Sequence, residues 1–268
     1  MIERRHLLGL LGAGSASAAW AASPPPNLPP QAGGEVDPAL IDQLVAGNRI
    51  LADQGVVDGF GHLSVRHDKR PDRFLIARSM APGLVTPADI METDLDGVPV
   101  DPKGRNPYME RFIHSEIYRA RPDVMAVVHS HSPAVIPFGV TKVPLRPVYH
   151  MASFLGAGAP VFEIREVAGP GSDMLIRTPE LGRALAKTLG KAQVALMRGH
   201  GYVATGSNVK TAVMHAVYTE VGARVQAEAM KLGQVTYLNP TEAAKISPQN
   251  DALVDKNWDL WRARALGK

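Results

Sequence analysis

Val124-Met125-Ala126-Val127-Val128-His129-Ser130-His131-Ser132-Pro133 is the stretch whose reading decides the fold of this chain. Residues 124–129 open with an apolar, β-branched run that reads as a strand buried on both faces. Side chains alternate along a strand, so His129 and His131 point to the same side. Two imidazoles placed that way can meet one divalent ion. They can equally be a pair of satisfied polar histidines at a strand end.

The pattern extends outward in both directions. Residues 108–121 read as an amphipathic helix that Arg121-Pro122-Asp123 ends just before the strand. Further upstream, residues 37–55 are predicted helical, with Leu40, Leu44 and Ile50 or Leu51 near one face. Residues 59–66 and 73–77 are predicted strands joined by a polar turn, and residues 95–100 a hairpin turned by Asp96-Gly97. Downstream, the spacing predicts a strand at 161–164, a helix at 178–189 and a buried strand at 194–197 that runs into Arg198-Gly199-His200-Gly201. The longest helix is expected over 207–231, stopped by Gly233. Trp258 and Trp261 are spaced to share one face of a terminal helix. No internal repeat appears, and strands mixed with helices argue for one layered α/β domain over residues 37–268.

Composition narrows the chemistry. The 268 residues are 45% hydrophobic and 21% charged, ordinary values for a globular chain with a filled core. The formal charge of +3 is spread without a basic block, which argues against nucleic acid as a partner. With no cysteine, disulfides and thiolate chemistry are excluded, and histidine and carboxylate remain as metal ligands. The N-terminus carries Arg4-Arg5 before a short run rich in leucine, glycine and alanine, which resembles a twin-arginine export signal over residues 1–22. That run is too short to span a bilayer, so the mature chain is expected free of the membrane, in the periplasm or outside the cell. Residues 23–36 read as a Pro/Gly-rich linker.

Three further residues bear on the metal question. His200 lies between two glycines, which let backbone approach closely and aim a side chain, although a tight turn explains them equally. Glu110 and His114 are four apart and share a helical face. Glu110 can act as ligand, base or acid beside a metal, or be a solvated carboxylate at a helix start. Glu116 faces elsewhere and is expected to be solvated.

The order Glu110, His129-x-His131 and His200 within Arg-Gly-His-Gly resembles the class II aldolase/adducin family, and residues 119–131 resemble its strand-entry signature. The resemblance spans residues 38 to 235 or so. It implies a three-layer α/β/α fold around a mainly antiparallel sheet. By the same resemblance His129, His131 and His200 are metal ligands, Glu110 is the catalytic carboxylate, and the protein is a homotetramer with active sites between subunits. The expected cofactor is one divalent ion, zinc first, with manganese, cobalt or iron also suited to imidazoles.

The chain departs from the family's sugar-phosphate aldolases. Where those members hold phosphate, this sequence has Gly61-His62-Leu63-Ser64, Ala77-Arg78-Ser79 and Asn106-Pro107-Tyr108-Met109. His62, Ser64, Arg78, Ser79 and His114 are therefore read as binding a non-phosphorylated small-molecule carboxylate, since a guanidinium grips a carboxylate with two parallel hydrogen bonds. Tyr149 and His150 fall where family members place a proton-transferring tyrosine donated by a neighbouring subunit. These features resemble the decarboxylase-like branch. The expected reaction is loss of carbon dioxide from an oxo- or hydroxy-carboxylic acid of muconate-semialdehyde or aromatic type, through a metal-stabilised enolate. The alternatives are aldol cleavage of a non-phosphorylated hydroxy-oxo acid, iron-dependent oxygen chemistry, or a non-catalytic adducin-like binding module.

Overall fold

The computed structural model describes residues 35–267, so the expected signal and all but the end of the expected linker lie outside the described residues. Seven strands form one sheet. In chain order they are β1 (His62–Arg66), β2 (Arg73–Ala77), β3 (Ile90–Asp94), β4 (Ala126–Ser130), β5 (Val161–Phe162), β6 (Val194–Met197) and β7 (Gly201–Gly206). The spatial order is β3-β2-β1-β4-β7-β6-β5, and every pairing is antiparallel except β5 with β6. The eight helices among the described residues are α1 (Pro38–Asp53), α2 (Arg111–Ala120), α3 (Ile136–Val140), α4 (Arg165–Ala168), α5 (Pro179–Leu189), α6 (Val209–Leu232), α7 (Pro240–Ala252) and α8 (Val254–Ala265).

Strand alternation sorts the core into two layers. Leu63, Val65, Ala126, Val128, Leu196, Tyr202 and Ala204 pack with α1, α6 and α8 on one face. Phe74, Ile76, Val127, Ala195 and Val203 pack with α2 and α5 on the other. Helices thus cover both faces, which is the expected α/β/α sandwich. Trp258 and Trp261 are both buried in the first layer, so their shared helical face closes that core. Local signals set the helix ends. Thr178 and Asn208 accept backbone N–H groups at the starts of α5 and α6, and Gly190 and Gly233 end the same helices at φ +52° and +150°.

Three expectations need correction. Residues 95–100 are mostly a turn with an isolated bridge from Thr93 to Pro99, and the strand beside β2 is Ile90–Asp94. The Asp96-Gly97 turn signal drew attention past a short edge strand of mixed polarity. Helix α2 starts at Arg111, where the Ile113 N–H first closes a turn on the Glu110 carbonyl at 3.0 Å, and the chain from 108 to 110 stays irregular. Glu116 is 2% exposed, with Arg119 and Arg183 each 3.7 Å away, and is not solvated. Gly182 is the cause: α5 lies so close to α2 that a Cβ at Gly182 would stand 2.4 Å from the Phe112 carbonyl oxygen and 2.9 Å from Glu116 Cγ.

Another glycine sits where the sheet meets the site. A Cβ at Gly201 would lie 2.0 Å from the Ser130 carbonyl oxygen, so β7 can enter beside β4 only without a side chain there. Gly201→Ala is expected to lower stability by about 3 kcal/mol in urea titration. Gly171→Ala, which meets nothing within 4 Å, is expected to leave the midpoint unchanged. Equal midpoints for both variants would show that the strand relaxes around the methyl group.

Candidate metal centre and its surroundings

His129 belongs to β4, on the face covered by α2, and is fully buried. His131 lies just past the end of β4. His200 sits in the turn between β6 and β7, its N–H donating to the Met197 carbonyl at 3.0 Å and Gly199 taking φ +66°. These three elements bring the Nε2 atoms of His129 and His200 to 2.9 and 3.0 Å from that of His131. Glu110, the residue before α2, places Oε2 3.4 Å from His200 Nε2 and 3.7 Å from His129 Nε2. One ligand atom from each of the four residues lies within 4.8 Å of every other. The structure thus assembles all four residues that the sequence singled out.

The other ring nitrogens explain the aim. His129 Nδ1–H donates to the Tyr202 carbonyl at 3.1 Å, and His200 Nδ1–H donates to the Met174 carbonyl at 2.9 Å. A carbonyl only accepts, so in a neutral ring the proton is fixed on Nδ1 and the Nε2 lone pair is bare. Burial holds both His129 and His131 below the usual imidazole range, which keeps them neutral. Their two bare lone pairs converge on His131 Nε2, which can donate a hydrogen to only one of them, whereas a divalent cation between the three rings can meet all three nitrogens. The donor set therefore fits such an ion. Burial pushes the Glu110 carboxyl up, but the adjacent His200 and His129 rings and the Ile176 N–H outweigh it and hold the group down to about 2. Ile176 N–H donates to Oε1 at 2.9 Å, leaving Oε2 turned toward the histidines.

The remaining predicted residues divide into two groups. His62 stands beside His129, paired with it in the β1–β4 register, with ring centroids 5.0 Å apart. Ser64 and His114 are buried behind His62 and fully engaged within the protein. His114 has one ring nitrogen 2.6 Å from His62 Nδ1 and the other 2.6 Å from Ser64 Oγ. Arg78 lies on the loop after β2, where its Nε donates to Asp89 Oδ1 at 2.7 Å. The exposed Ser79 gives its backbone N–H to the Asn106 carbonyl. Neither has a hydrogen bond to the histidine cluster. Tyr149 and His150 begin a 3-10 turn packed against α6 and α7, and no hydrogen bond or ring contact joins them to the cluster. The Tyr149 hydroxyl is buried with no partner among the described residues, and burial pushes its pKa up.

Sequence reasoning passed over the loop between α4 and α5, which supplies both the Met174 carbonyl and the Ile176 N–H. Met174 adopts φ +68°, a conformation uncommon outside glycine, and nothing in its side chain announces it. The available hint was the turn-rich Gly169-Pro170-Gly171-Ser172-Asp173 just before it.

A three-layered α/β/α sandwich with three converging imidazoles and one carboxylate at the end of its central strand is a scaffold whose donor set could hold a metal ion. The sequence profile of the Class II Aldolase and Adducin N-terminal domain matches residues 42–227, and the chain belongs to that family. It is 37% identical over 241 residues to the decarboxylase tropJ of Talaromyces stipitatus, covering 81% of this chain and 91% of that protein. It is 33% identical over 206 residues to a 3,4-dihydroxyphthalate decarboxylase of Terrabacter sp., covering 71% and 82%. Among solved structures, an aldolase II superfamily protein from Pseudomonas syringae superposes with TM-score 0.71 at 24% identity, over 86% of this chain and 94% of that one. The last likeness establishes the fold, and the decarboxylase relatives support a lyase.

Proposed function

We propose that the protein is a metal-dependent decarboxylase of a non-phosphorylated, ring-bearing hydroxy- or oxo-carboxylic acid. The convergence of three Nε2 atoms with Glu110 Oε2 carries this reading, supported by the identity to decarboxylases across most of the chain. His129, His131 and His200 would hold the ion, zinc before manganese, cobalt or iron. When bound, the ion supplies positive charge that stabilises the electrons left behind as the carbon–carbon bond breaks.

The chain's own groups handle the proton. Glu110 is ionised at neutral pH, and only Oε2 is free to take a proton from a substrate hydroxyl and return one to the carbon that lost carbon dioxide. Net reaction consumes one proton from water for each carbon dioxide released. A binding module without catalysis has less support, since all four residues of the ligand and acid–base set are present and correctly aimed. Aldol cleavage would need the same electron sink, and released carbon dioxide separates the two reactions. The expected outcome is one metal per chain by elemental analysis and metal-dependent release of carbon dioxide from a hydroxy- or oxo-acid panel. Glu110→Gln should keep its metal and lose roughly a thousandfold in kcat. Metal-loaded protein that releases aldehyde or ketone fragments and no carbon dioxide would assign it to aldol cleavage instead.

We further propose a homotetramer in which Tyr149 and His150 complete the site of a neighbouring subunit. Their separation from the cluster within one chain and the exposure of His150 support this. Mixing inactive His129→Ala protein with inactive His150→Ala protein should restore measurable activity in hybrid assemblies. Hybrids that stay inactive would place the proton step within one chain. Finally, we propose export through the Arg4-Arg5 signal. Lysine at both positions should leave the protein unprocessed inside fractionated cells, and unchanged export would dismiss the twin-arginine reading.

A further inference from the structure

A continuous set of buried polar groups leads away from the metal centre through β1 and α2. His62 Nδ1 is 2.6 Å from His114 Nε2, His114 Nδ1 is 2.6 Å from Ser64 Oγ, and Ser64 Oγ is 2.7 Å from the Tyr118 hydroxyl. His62 is 4% exposed, Tyr118 1%, and His114 and Ser64 not at all. None of the four belongs to the group of atoms that can hold the metal.

The direction of these bonds can be deduced from their closed end. Ser64 Oγ is the one acceptor for the Tyr118 hydroxyl among the described residues, since the Val127 backbone offers it only an N–H. A buried phenol hydrogen without an acceptor costs on the order of 1–3 kcal/mol, so Tyr118 donates to Ser64. Ser64 has one hydrogen and must then donate to His114 Nδ1. His114, kept neutral by burial that lowers its pKa to about 3, carries its hydrogen on Nε2 and donates to His62 Nδ1. His62 can accept there only if its own hydrogen sits on Nε2. The opposite sense would end on a phenol hydrogen pointing at nothing.

We infer that the His114–Ser64–Tyr118 relay sets the tautomer of His62, so that His62 presents an Nε2–H donor to a substrate oxygen beside the metal centre. Three observations direct that donor. His62 pairs with His129 across β1 and β4 on the same sheet face. The Tyr108 ring lies 4.5 Å from the His62 ring, and the Tyr108 hydroxyl is tied to the Met80 carbonyl, which restrains the imidazole from its other side. His62 Nε2 itself has no hydrogen-bond partner among the described residues, although Nδ1 does. A fixed N–H donor selects a carboxylate, phenolate or carbonyl oxygen, and rejects a substrate that offers only a donor or an apolar group at that point. His62 is thus a specificity-determining residue, while His114, Ser64 and Tyr118 are positioning residues. The assignment of the donor to substrate rests on the catalytic reading above; the tautomer does not.

The test uses whole, metal-loaded protein carrying 15N-labelled histidine. Long-range proton–nitrogen spectra, assigned with His62→Gln and His114→Gln, should show pyrrole-type Nε2 and pyridine-type Nδ1 for both rings. A pyrrole-type Nδ1 on His62 would overturn the inference, whether or not the protein releases carbon dioxide. Binding supplies the second arm, with 2-hydroxybenzoate as the probe. His62→Leu should weaken it about tenfold or more with metal content unchanged, and His62→Gln, which keeps an N–H donor, should recover much of the loss. Unchanged affinity in His62→Leu would remove the donor role. Loss of metal in His62→Gln would place His62 among the ligands and overturn the inference as well.

Discussion

The site depends on two hydrogen bonds that never touch a substrate: His129 Nδ1–H to the Tyr202 carbonyl and His200 Nδ1–H to the Met174 carbonyl. Each fixes a tautomer as well as an orientation. With the proton held on Nδ1, the Nε2 lone pairs turn inward, toward one another and His131, and burial keeps His129 neutral. Much of the surrounding structure serves to keep those two carbonyls in place. Tyr202 is on β7, hydrogen-bonded in register against β4, and Gly201 lets that strand begin against the Ser130 backbone. Met174 lies in a loop with a positive φ, and the same loop presents Ile176 N–H to Glu110. One irregular segment therefore positions both His200 and Glu110.

Polar groups are distributed unevenly between the sheet's two faces. The face toward α1, α6 and α8 is largely apolar where it meets the strands. The face toward α2 carries His62, Ser64 and Arg66 on β1 and His114 and Tyr118 on α2, all buried. Arg66 is consumed by the carbonyls of Pro71, Tyr118, Arg121 and Val124 while its guanidinium lies 4.8 Å from the Tyr118 ring centroid. A buried network is favourable only when its members satisfy one another, and a single deletion leaves a partner stranded. This makes the α2 face rigid beside the metal centre.

Much of the fold was legible because its signals are local. The apolar run before His129 identified the central strand, and Thr178 and Gly233 marked helix ends as their capping chemistry requires. Glu110, His129, His131 and His200 were legible from spacing joined to family resemblance, though no single residue among them was decisive. What escaped was long-range. Glu116 looked like a surface carboxylate because nothing near it in sequence shows that Gly182, 66 positions on, admits α5 against it. β7 follows His200 directly, yet Gly201-Tyr-Val-Ala-Thr-Gly206 has a glycine at each end and reads as easily as loop. Ser64 and His114 were read as substrate-binding residues, and only the structure shows that they are buried behind His62.

That arrangement has a consequence for how the site distinguishes ligands. A histidine free in solution exchanges tautomers readily and offers a donor or an acceptor on demand, so it selects weakly. Buried under His114, His62 loses that freedom before any ligand arrives, and the reorganisation is absorbed by folding. A preorganised dipole in a water-poor site discriminates more strongly than the same group in water. The phosphate-binding pattern of the sugar-phosphate relatives would need several donors around one dianion. Here a single oriented N–H stands beside a cation site, with Tyr108 occupying the space next to it. On the proposed function, that single donor would meet one oxygen of the acid, next to the three histidines.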